Sequence, residues 1–571
     1  MYSPSLGQAS EAILVHLRRS PELSRLAGLV PGVDLDEAFL REIVGAAAAV
    51  AEGVLAPFNR QADAEGCSLR NGRVRLAPGH HEAWAEFVAG GWTAIDAPQA
   101  FGGAGLPSVV HAACEEIFNR ASPAFGMLPT PMRCAARVVA QYADETLKME
   151  WLPRLVAGEW GATICISEAD AGSDVPRLRT LAVPAGDGTW FVTGEKMWIS
   201  FGDHDLTSRI GHMVLARTPD APAGARGLSL FLVPSTADGQ TNGVAVRRIE
   251  EKLGLHGSPT CALGFEEARG WLIGTLNRGL SQLFTMIIGM RLSVGSQGAG
   301  IAGAAAALAW RYAAERRQGG HPDTPPVSID NHGDVRRMLL DLAARAEVAR
   351  GLVLVAALTA DLQEHESEET ARTAAGNLLA WLLPITKNFC AEAAFSCASE
   401  AIQIMGGAGY TREWPAEQYL RDARVLSIYE GTSGMQALDL VMRRILGDEG
   451  RAMAAFLAAA KAEIDGAAGR WAAAQLERIL ELLVSASGVL ARDIAGAVSY
   501  PFLQLASLAT TGWIALRLSQ AGDDAVEANL AALGRHWLRM ALPLAQAEAE
   551  RVALGHTLIA EFTAIDASVF A

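Results

Sequence analysis

The chain has 571 residues, with 48 Lys and Arg against 63 Asp and Glu, so its formal net charge is −15, and half of its residues are hydrophobic. This length predicts about three to five domains with their own cores, and the hydrophobic share excludes a chain that is disordered as a whole. The negative charge disfavours binding to a nucleic-acid backbone, so nucleic acid is not an expected partner.

Three features of the sequence bear on the compartment. Residues 1–10 lack the basic and apolar segments of a secretory signal. The seven cysteines form no closely spaced pair, which disfavours disulfides and zinc sites and predicts reduced thiols without a bound metal. The apolar run 293–310 reaches membrane-spanning length, but its Ser, Gln and Gly residues favour a buried helix. We therefore expect a cytoplasmic protein with no membrane span.

The hydrophobic periodicity changes along the chain. It is helical from about Pro21 to Glu159, then gives way to short β-like runs separated by Gly, Pro and Asp turns. The helical period returns near Gly279 and continues through the C-terminal residues. The pattern predicts an α+β fold, mainly α, with four domains. These are an N-terminal helical domain (1–160), a central antiparallel β domain (161–278), a helical bundle (279–447) and an additional C-terminal helical domain (448–571).

Two motifs fall in the β region. In ICISEADAGSD, residues 164–174, a strand leads Ser167 and Glu168 into a loop of small residues. The N–H groups and hydroxyls of such a loop can bind an anionic or carbonyl-rich ligand, although an ordinary strand-to-turn transition is the alternative. In GEKMWIS, residues 194–200, Trp198 could stack on a planar ring or be a core residue.

Two further motifs fall in the helical region. In QIMGGAGY, residues 403–410, paired glycines allow close approach of a ligand and Gln403 can hydrogen-bond a heterocycle, but a helix C-cap is equally compatible. In IYEGT, residues 428–432, Glu430 lies among apolar residues at a break between helices, which makes it a candidate base. The alternative is that Glu430 or Thr432 caps the next helix.

In this order, ISEADAGSD, QIMGGAGY, RDAR and IYEGT resemble the acyl-CoA dehydrogenase family, flavoenzymes built from a helical domain, a β domain and a helical bundle. The resemblance covers roughly residues 35–446. AERRQGG and YEGTSGMQALDL are similar to its longer bacterial branch, the 3-methylmercaptopropionyl-CoA dehydrogenase type with a C-terminal extension. The chain departs from the family pattern at Ile164, Gly319 and Gly434, where the family's polar or aromatic side chains are missing.

The resemblance implies FAD-dependent α,β-dehydrogenation of an acyl-CoA to the trans-2-enoyl-CoA. Glu430 would abstract the α-proton while hydride passes from Cβ to flavin N5, and an electron-transfer flavoprotein would accept the electrons. Residues 285–290 contain no carboxylate that could replace Glu430. An acyl-CoA oxidase using O₂ stays an alternative. A non-catalytic or DNA-binding relative is disfavoured, because residues 451–571 carry 9 Lys and Arg against 12 Asp and Glu.

The resemblance also assigns individual positions. Arg316 and Gln318 would reach the diphosphate of an FAD in a partner subunit, which requires at least a dimer. Because the extension is expected to cover the second contact of shorter members, we expect a homodimer. Gly289 and Met290 should lie near the acyl chain. The implied FAD contacts are Ile166, Ser167, Trp198, Ser200, Arg316, Gln318, Gln403, Gly407 and Thr432, and the implied substrate contacts are Ser173, Arg291, Tyr429 and Gly431.

Overall fold

A computed structural model describes residues 6–30, 32–237, 239–520, 522 and 524–565. Contacts between residues divide the chain into two compact units. Within the described residues, the first unit is 46–293, and the second combines 6–45 with 294–565. The four domain boundaries expected from the sequence stay predictions.

The helices account for most of the structure. Helices α1 to α19 are, in order, Gly7–Arg18, Pro21–Ala27, Glu37–Val50, Ala56–Glu65, His80–Ala89, Ser108–Ala121, Pro123–Gly126, Pro129–Tyr142, Glu145–Val156, Gly279–Glu315, Gly333–His365, Glu369–Met405, Ala416–Arg424, Ser433–Leu438, Arg451–Gly466, Arg470–Ser487, Ala495–Leu518, Ala525–Ala553 and Gly555–Ala564.

The strands all belong to the first unit. Strands β1 to β11 are, in order, Ser68–Arg70, Arg73–Arg75, Trp160–Cys165, Leu181–Pro184, Trp190–Ser200, Arg209–Arg217, Leu228–Pro234, Thr236–Ala237, Gln240–Thr241, Val244–Ile249 and Thr260–Ile273. Together with the helices on either side, they confirm the predicted α+β, mainly α, fold class.

A seven-stranded sheet forms the β region of the first unit. Its strands follow the order β10-β11-β5-β4-β6-β3, and β7 pairs with both β11 and β6, so that five strands close into a ring. The pairings of β3 and β4 with β6 are parallel and the others antiparallel. The prediction of an antiparallel domain was wrong in this detail, because β4 and β5 intervene in sequence and allow the chain to return to β6 in the same direction as β3.

The sheet encloses an apolar core that fixes the ends of its strands. Val192 of β5, Val214 of β6, Phe231 of β7 and Phe265 of β11 are all almost inaccessible to solvent and belong to one cluster. The alternation of side chains across each strand places these residues inward. The loops that follow β3 and β5 therefore leave a rigid support.

Small residues let the helices of the second unit approach one another closely. A Cβ atom built on Gly298 of α10 would lie only 2.4 Å from the carbonyl oxygen of Cys390 on α12. Only glycine fits at such a contact, which explains the Gly- and Ala-rich composition of the run 293–310. Helix α10 is long and apolar enough to cross a membrane, but 94% of its most apolar window is buried, in agreement with the predicted core helix.

The C-terminal helices are attached to the rest of the second unit by buried polar contacts. The Arg517 guanidinium of α17 lies 3.0 Å from Glu22 of α2 and 2.8 Å from Glu463 of α15. The Trp381 indole of α12 donates a 3.0 Å hydrogen bond to Thr510 of α17. Because buried polar groups require specific partners, these contacts fix the position of the extension on the bundle.

A buried carboxylate in the second unit makes stability depend on pH. Burial alone would raise the pKa of Glu347, but the nearby Arg350 guanidinium and His16 lower it from 4.5 to about 2. A lowered folded-state pKa stabilises the fold above the unfolded-state value and loses that effect as the pH falls. We expect about 3 kcal/mol of stabilisation from Glu347 to disappear between pH 4.5 and pH 2.

The variant Glu347→Gln tests this expectation. It should be less stable than the parent at pH 7, and the difference between their free energies of unfolding should shrink as the pH is lowered below 4.5. Urea unfolding at a series of pH values measures the difference. A constant difference across that range would contradict the assignment.

Candidate active site

The loop that follows β3 is fastened to β5 by a buried lysine. The ammonium of Lys196, which is completely inaccessible to solvent, donates to the carbonyl oxygens of Ile166 and Leu215, each at 2.9 Å. It also lies 2.8 Å from the Glu168 carboxylate. The carbonyl of Ser167 accepts a hydrogen bond from the Met197 backbone N–H. The predicted flavin contacts Ile166 and Ser167 are therefore held against the strand that carries Trp198.

Glu168 is also bound by groups on a neighbouring segment. Its carboxylate accepts from the backbone N–H groups of Arg179 and Thr180 and from the Thr180 hydroxyl, at 2.6 to 3.0 Å. Burial would raise the pKa of Glu168, but Lys196 and these donors lower it overall. Glu168 therefore serves as an anionic anchor of the loop.

Trp198 is not a core residue. Its side chain is 59% exposed, and its backbone has φ of 64°, a left-handed conformation that bulky residues rarely adopt. An indole held in this way offers a flat apolar surface for a planar ring system. Ser200, two residues further on, is half-buried at the end of β5.

Other positions predicted to contact substrate lie in the same unit. Ser173 is exposed in the loop after β3, and Arg291 is half-buried in α10. Met290 is buried, and a Cβ atom on Gly289 would lie 2.8 Å from the Cys134 sulfur. A side chain at position 289 would therefore collide with α8.

In the second unit, the sequence IYEGT forms a strained turn. Glu430 has φ of 52° and Gly431 has φ of 89°. Left-handed backbone is unfavourable for a residue such as glutamate and occurs where the surrounding structure enforces it. Glu430 is half-buried, and the neighbouring Ile428 side chain is 52% exposed. The turn thus brings the predicted base beside an exposed apolar surface.

Thr432 ends the turn and begins α14. Its hydroxyl accepts a 3.2 Å hydrogen bond from the Met435 N–H, so Thr432 is the helix N-cap. The sequence allowed either Glu430 or Thr432 to cap this helix, and the structure selects Thr432. Glu430 is thereby left outside the cap.

Side chains from three helices hold the turn. The Lys387 ammonium of α12 donates to the Gly431 carbonyl at 2.7 Å, and the Gln436 amide of α14 donates to the carbonyls of Glu430 and Gly431 at 3.1 and 3.2 Å. Tyr429 hydrogen-bonds Gln297 of α10. The sequence analysis missed Lys387 and Gln436; the available signal was one lysine inside the apolar run LLPITKNFCAEAAF.

Arg316 and Gln318 lie together on an exposed loop. Their side chains are joined by a 3.3 Å hydrogen bond. The backbone of the loop pairs with the segment that contains Val327 and Ile329. This position is compatible with the predicted contact to a partner subunit, which stays a prediction.

Gln403 and Gly407 lie at the end of α12. Gly406, with φ of 60°, caps the helix by donating its N–H to the Gln403 carbonyl. The helix C-cap reading is therefore confirmed. Both Gln403 and Gly407 are exposed, and a Cβ atom on Gly407 would meet nothing within 4 Å. The cap leaves both positions accessible to a ligand.

Comparison with known proteins identifies the family. The N-terminal, middle and C-terminal domain models of acyl-CoA dehydrogenase match residues 39–159, 163–268 and 277–446. The 3-methylmercaptopropionyl-CoA dehydrogenase of Ruegeria pomeroyi is 41% identical over 482 residues, which is 81% of this chain and 82% of the relative. The chain belongs to the acyl-CoA dehydrogenase family. It is accordingly an FAD-dependent enzyme of that family.

Two solved structures extend the comparison. A chain described as an electron transferring flavoprotein of Acidaminococcus fermentans is 26% identical, with a TM-score of 0.61, and covers 72% of this chain and 99% of its own. Caenorhabditis elegans ACDH-11 in complex with C11-CoA, 21% identical, covers 95% of this chain and 92% of its own with a TM-score of 0.79. The fold including the C-terminal helices therefore occurs in ACDH-11.

Each unit contains side chains of the kinds that bind FAD. The exposed indole of Trp198 suits a planar isoalloxazine ring. In the first unit, the hydroxyls of Ser167 and Ser200 are donors of the kind that bind phosphates and ribityl oxygens. In the second unit, the Thr432 hydroxyl and the Arg316 guanidinium are donors of the same kind. The chemistry of this donor set agrees with the cofactor of the family.

The Lys196 anchor leads to a stability prediction. In Lys196→Met, Glu168 and two carbonyl oxygens lose their buried partner, and we expect a loss of about 3–5 kcal/mol in the free energy of unfolding. Lys148→Met is the matched control, because Lys148 pairs with the exposed Glu145 and should contribute less than about 1 kcal/mol. Chemical denaturation followed by tryptophan fluorescence measures both. Equal effects of the two substitutions would refute the anchoring role.

Proposed function

We propose that the protein removes the α- and β-hydrogens of an acyl-CoA thioester to give the trans-2-enoyl-CoA, with Glu430 as the base. The observation that carries this proposal is the enforced turn at Glu430 and Gly431. Residues in sparsely populated backbone regions cluster at functional sites. Glu267 and Glu449 also have positive φ, so the proposal rests on the turn together with the position of Glu430 in the motif IYEGT. The membership in the acyl-CoA dehydrogenase family supports the reaction class.

The chemical task of Glu430 explains why its position matters. An α-proton of a thioester is only weakly acidic, so a carboxylate removes it only when it is aligned with the C–H bond and the carbonyl charge is stabilised. The rigid turn provides the alignment, and its N–H groups are candidates for donors to the thioester oxygen. When bound, FAD supplies the acceptor for the β-hydrogen. Trp198 would cover the cofactor ring and exclude water.

The proposed substrate is an acyl-CoA, and its acyl group can be identified by assaying a panel of thioesters. The relative from Ruegeria pomeroyi acts on a thioether-containing acyl-CoA, as its name states, and ACDH-11 binds C11-CoA. Straight-chain thioesters of increasing length and 3-methylthiopropionyl-CoA therefore form the panel. The ranking of kcat/KM identifies the preferred acyl group.

An electron-transfer flavoprotein is the proposed electron acceptor. The support is membership in the acyl-CoA dehydrogenase family, whose resemblance implies such an acceptor. The alternative is an oxidase that reduces O₂. Oxygen consumption during turnover distinguishes the two, because a dehydrogenase consumes little O₂ without an added acceptor.

We further propose a cytoplasmic homodimer. The exposed loop with Arg316 and Gln318 would complete the FAD site of the partner subunit, and Gln403 and Gly407 would lie at the adenine end. Light scattering of the purified protein tests the subunit number. A stable tetramer would contradict the proposed role of the C-terminal helices in replacing the second contact.

The variant Glu430→Gln tests the proposed base. The amide cannot accept the α-proton, so kcat should fall by about 10²- to 10⁴-fold while FAD stays bound. Anaerobic bleaching of the flavin by the best acyl-CoA measures the chemical step directly. Near-normal bleaching by this variant would refute the assignment of Glu430.

The variant Arg316→Ala tests the shared FAD site. Loss of a charge-assisted contact to the diphosphate should weaken FAD retention by about 10-fold or more. The flavin-to-protein absorbance ratio after gel filtration measures retention. Arg311→Ala, which removes a similarly exposed guanidinium from α10, is the control, and equal flavin content in both variants would count against the assignment.

A further inference from the structure

Two completely buried side chains hydrogen-bond the strained turn at Glu430. Lys387 and Gln436 both have no solvent-accessible surface. The Lys387 ammonium is 2.7 Å from the Gly431 carbonyl oxygen. The Gln436 amide nitrogen is 3.1 Å from the Glu430 carbonyl and 3.2 Å from that of Gly431. Two consecutive carbonyl groups of the turn are therefore held by buried donors.

Bundle stability alone does not account for these polar groups. Burying an ammonium is costly, and replacing a buried polar group with an apolar side chain of similar size is often neutral or stabilising. The Oε1 atom of Gln436 has no hydrogen-bond partner in the described structure, so its burial is only partly compensated. A role of the turn in catalysis would explain why Lys387 and Gln436 are present.

We propose that Lys387 and Gln436 are positioning residues for the Glu430 base; this inference rests on the proposed function of the turn. By holding the two carbonyls, they fix the orientation of the peptide groups on either side of Gly431. Because these two peptide groups flank Gly431, their orientation holds φ of Gly431 at 89° and fixes the peptide plane that follows Glu430, whose φ is 52°. The direction in which the Glu430 side chain leaves the backbone is fixed with it.

Gly431 is needed for the same arrangement of hydrogen bonds. A Cβ atom on Gly431 would lie 2.7 Å from the Gln436 amide nitrogen. Any larger residue would therefore push Gln436 away from the carbonyls as well as oppose the positive φ. The close packing of this amide leaves the turn little freedom to relax.

If Lys387 and Gln436 position the base, their substitution should slow proton abstraction and leave substrate binding little changed. Small displacements of a reacting group reduce rates strongly, so Lys387→Met and Gln436→Leu should each lower kcat by about 10- to 100-fold with little change in KM. Because both side chains hold the Gly431 carbonyl, the effects in the double variant should be less than additive. A purely structural role would lower the melting temperature but leave kcat of the folded enzyme unchanged.

The decisive measurement separates proton removal from oxidation. A 3-thia analogue of the best acyl-CoA has sulfur at the β position, so it can lose an α-proton but cannot give up a β-hydride. Full-length holoenzyme is incubated with this analogue in D₂O, and deuterium incorporation at Cα is followed by mass spectrometry. The exchange rate should fall in Lys387→Met and Gln436→Leu in parallel with kcat.

Matched variants provide the controls. Trp381→Phe removes a buried 3.0 Å hydrogen bond from the same helix as Lys387 without touching the turn, and its exchange rate should match the parent. Lys387→Arg retains a buried cation, and should recover part of the exchange rate. If Lys387→Met does not fold, Gln436→Leu and Lys387→Arg still test the proposal.

The outcomes distinguish this inference from the proposed function. If the parent exchanges deuterium, Glu430→Gln does not, and Lys387→Met and Gln436→Leu exchange at the parental rate, the positioning role is refuted and Glu430 remains the base. If Glu430→Gln exchanges as fast as the parent, the assignment of the base fails, and the positioning role fails with it. If the parent exchanges no acyl-CoA analogue and oxidises none, both are overturned.

Discussion

A completely buried lysine ammonium holds each of two loops that carry predicted site residues. Lys196 binds the carbonyl of Ile166 in the first unit, and Lys387 binds the carbonyl of Gly431 in the second. A buried cation bound to a backbone carbonyl cannot be exchanged for water without exposing its surroundings, so such a contact is difficult to break locally. The two loops are therefore expected to be among the least mobile irregular segments of the chain.

The rigidity of these loops depends on the close packing of the elements behind them. In the second unit, Gly298 of α10 packs directly against the backbone of α12 at Cys390. This close packing lets Gln297 of α10 hydrogen-bond Tyr429 and lets Lys387 of α12 hydrogen-bond the Gly431 carbonyl. The small side chains that dominate the composition thus allow the helix packing that holds the turn at Glu430, in addition to filling the core.

The sequence predicted most of the architecture because periodicity and motif order are local signals. The helices, most strands, the capped end of α12 and the turn at Glu430 all follow from patterns within about twenty residues. The parallel pairing of β3 with β6 did not, because strand neighbours are decided by contacts far apart in the sequence. Strand β11 is the longest of the described strands, but Glu266, Glu267 and Arg269 interrupt its apolar alternation, so its sequence pattern is a weak signal.

The support of the site was harder to predict than the site itself. Lys387 and Gln436 carry no motif that marks them, and their importance comes from what lies opposite them after folding. The exposure of Trp198 was equally hidden, because a tryptophan in a strand is more often buried. Groups that bind a ligand leave a sequence signature, whereas groups that hold those residues in place are recognised only from distances.

The buried contact of Arg517 with Glu22 has a consequence for how the protein is made. It joins a helix formed by the first thirty residues to one formed near the end of the chain, within a unit whose sequence is interrupted by the other. During synthesis, residues 46–293 are continuous and can fold while the chain is still on the ribosome, since domains generally fold as units from the N-terminus. Helices α1 and α2 also pack against α11, and α1 against α18, so they reach their final environment only after these later segments of the chain have been made.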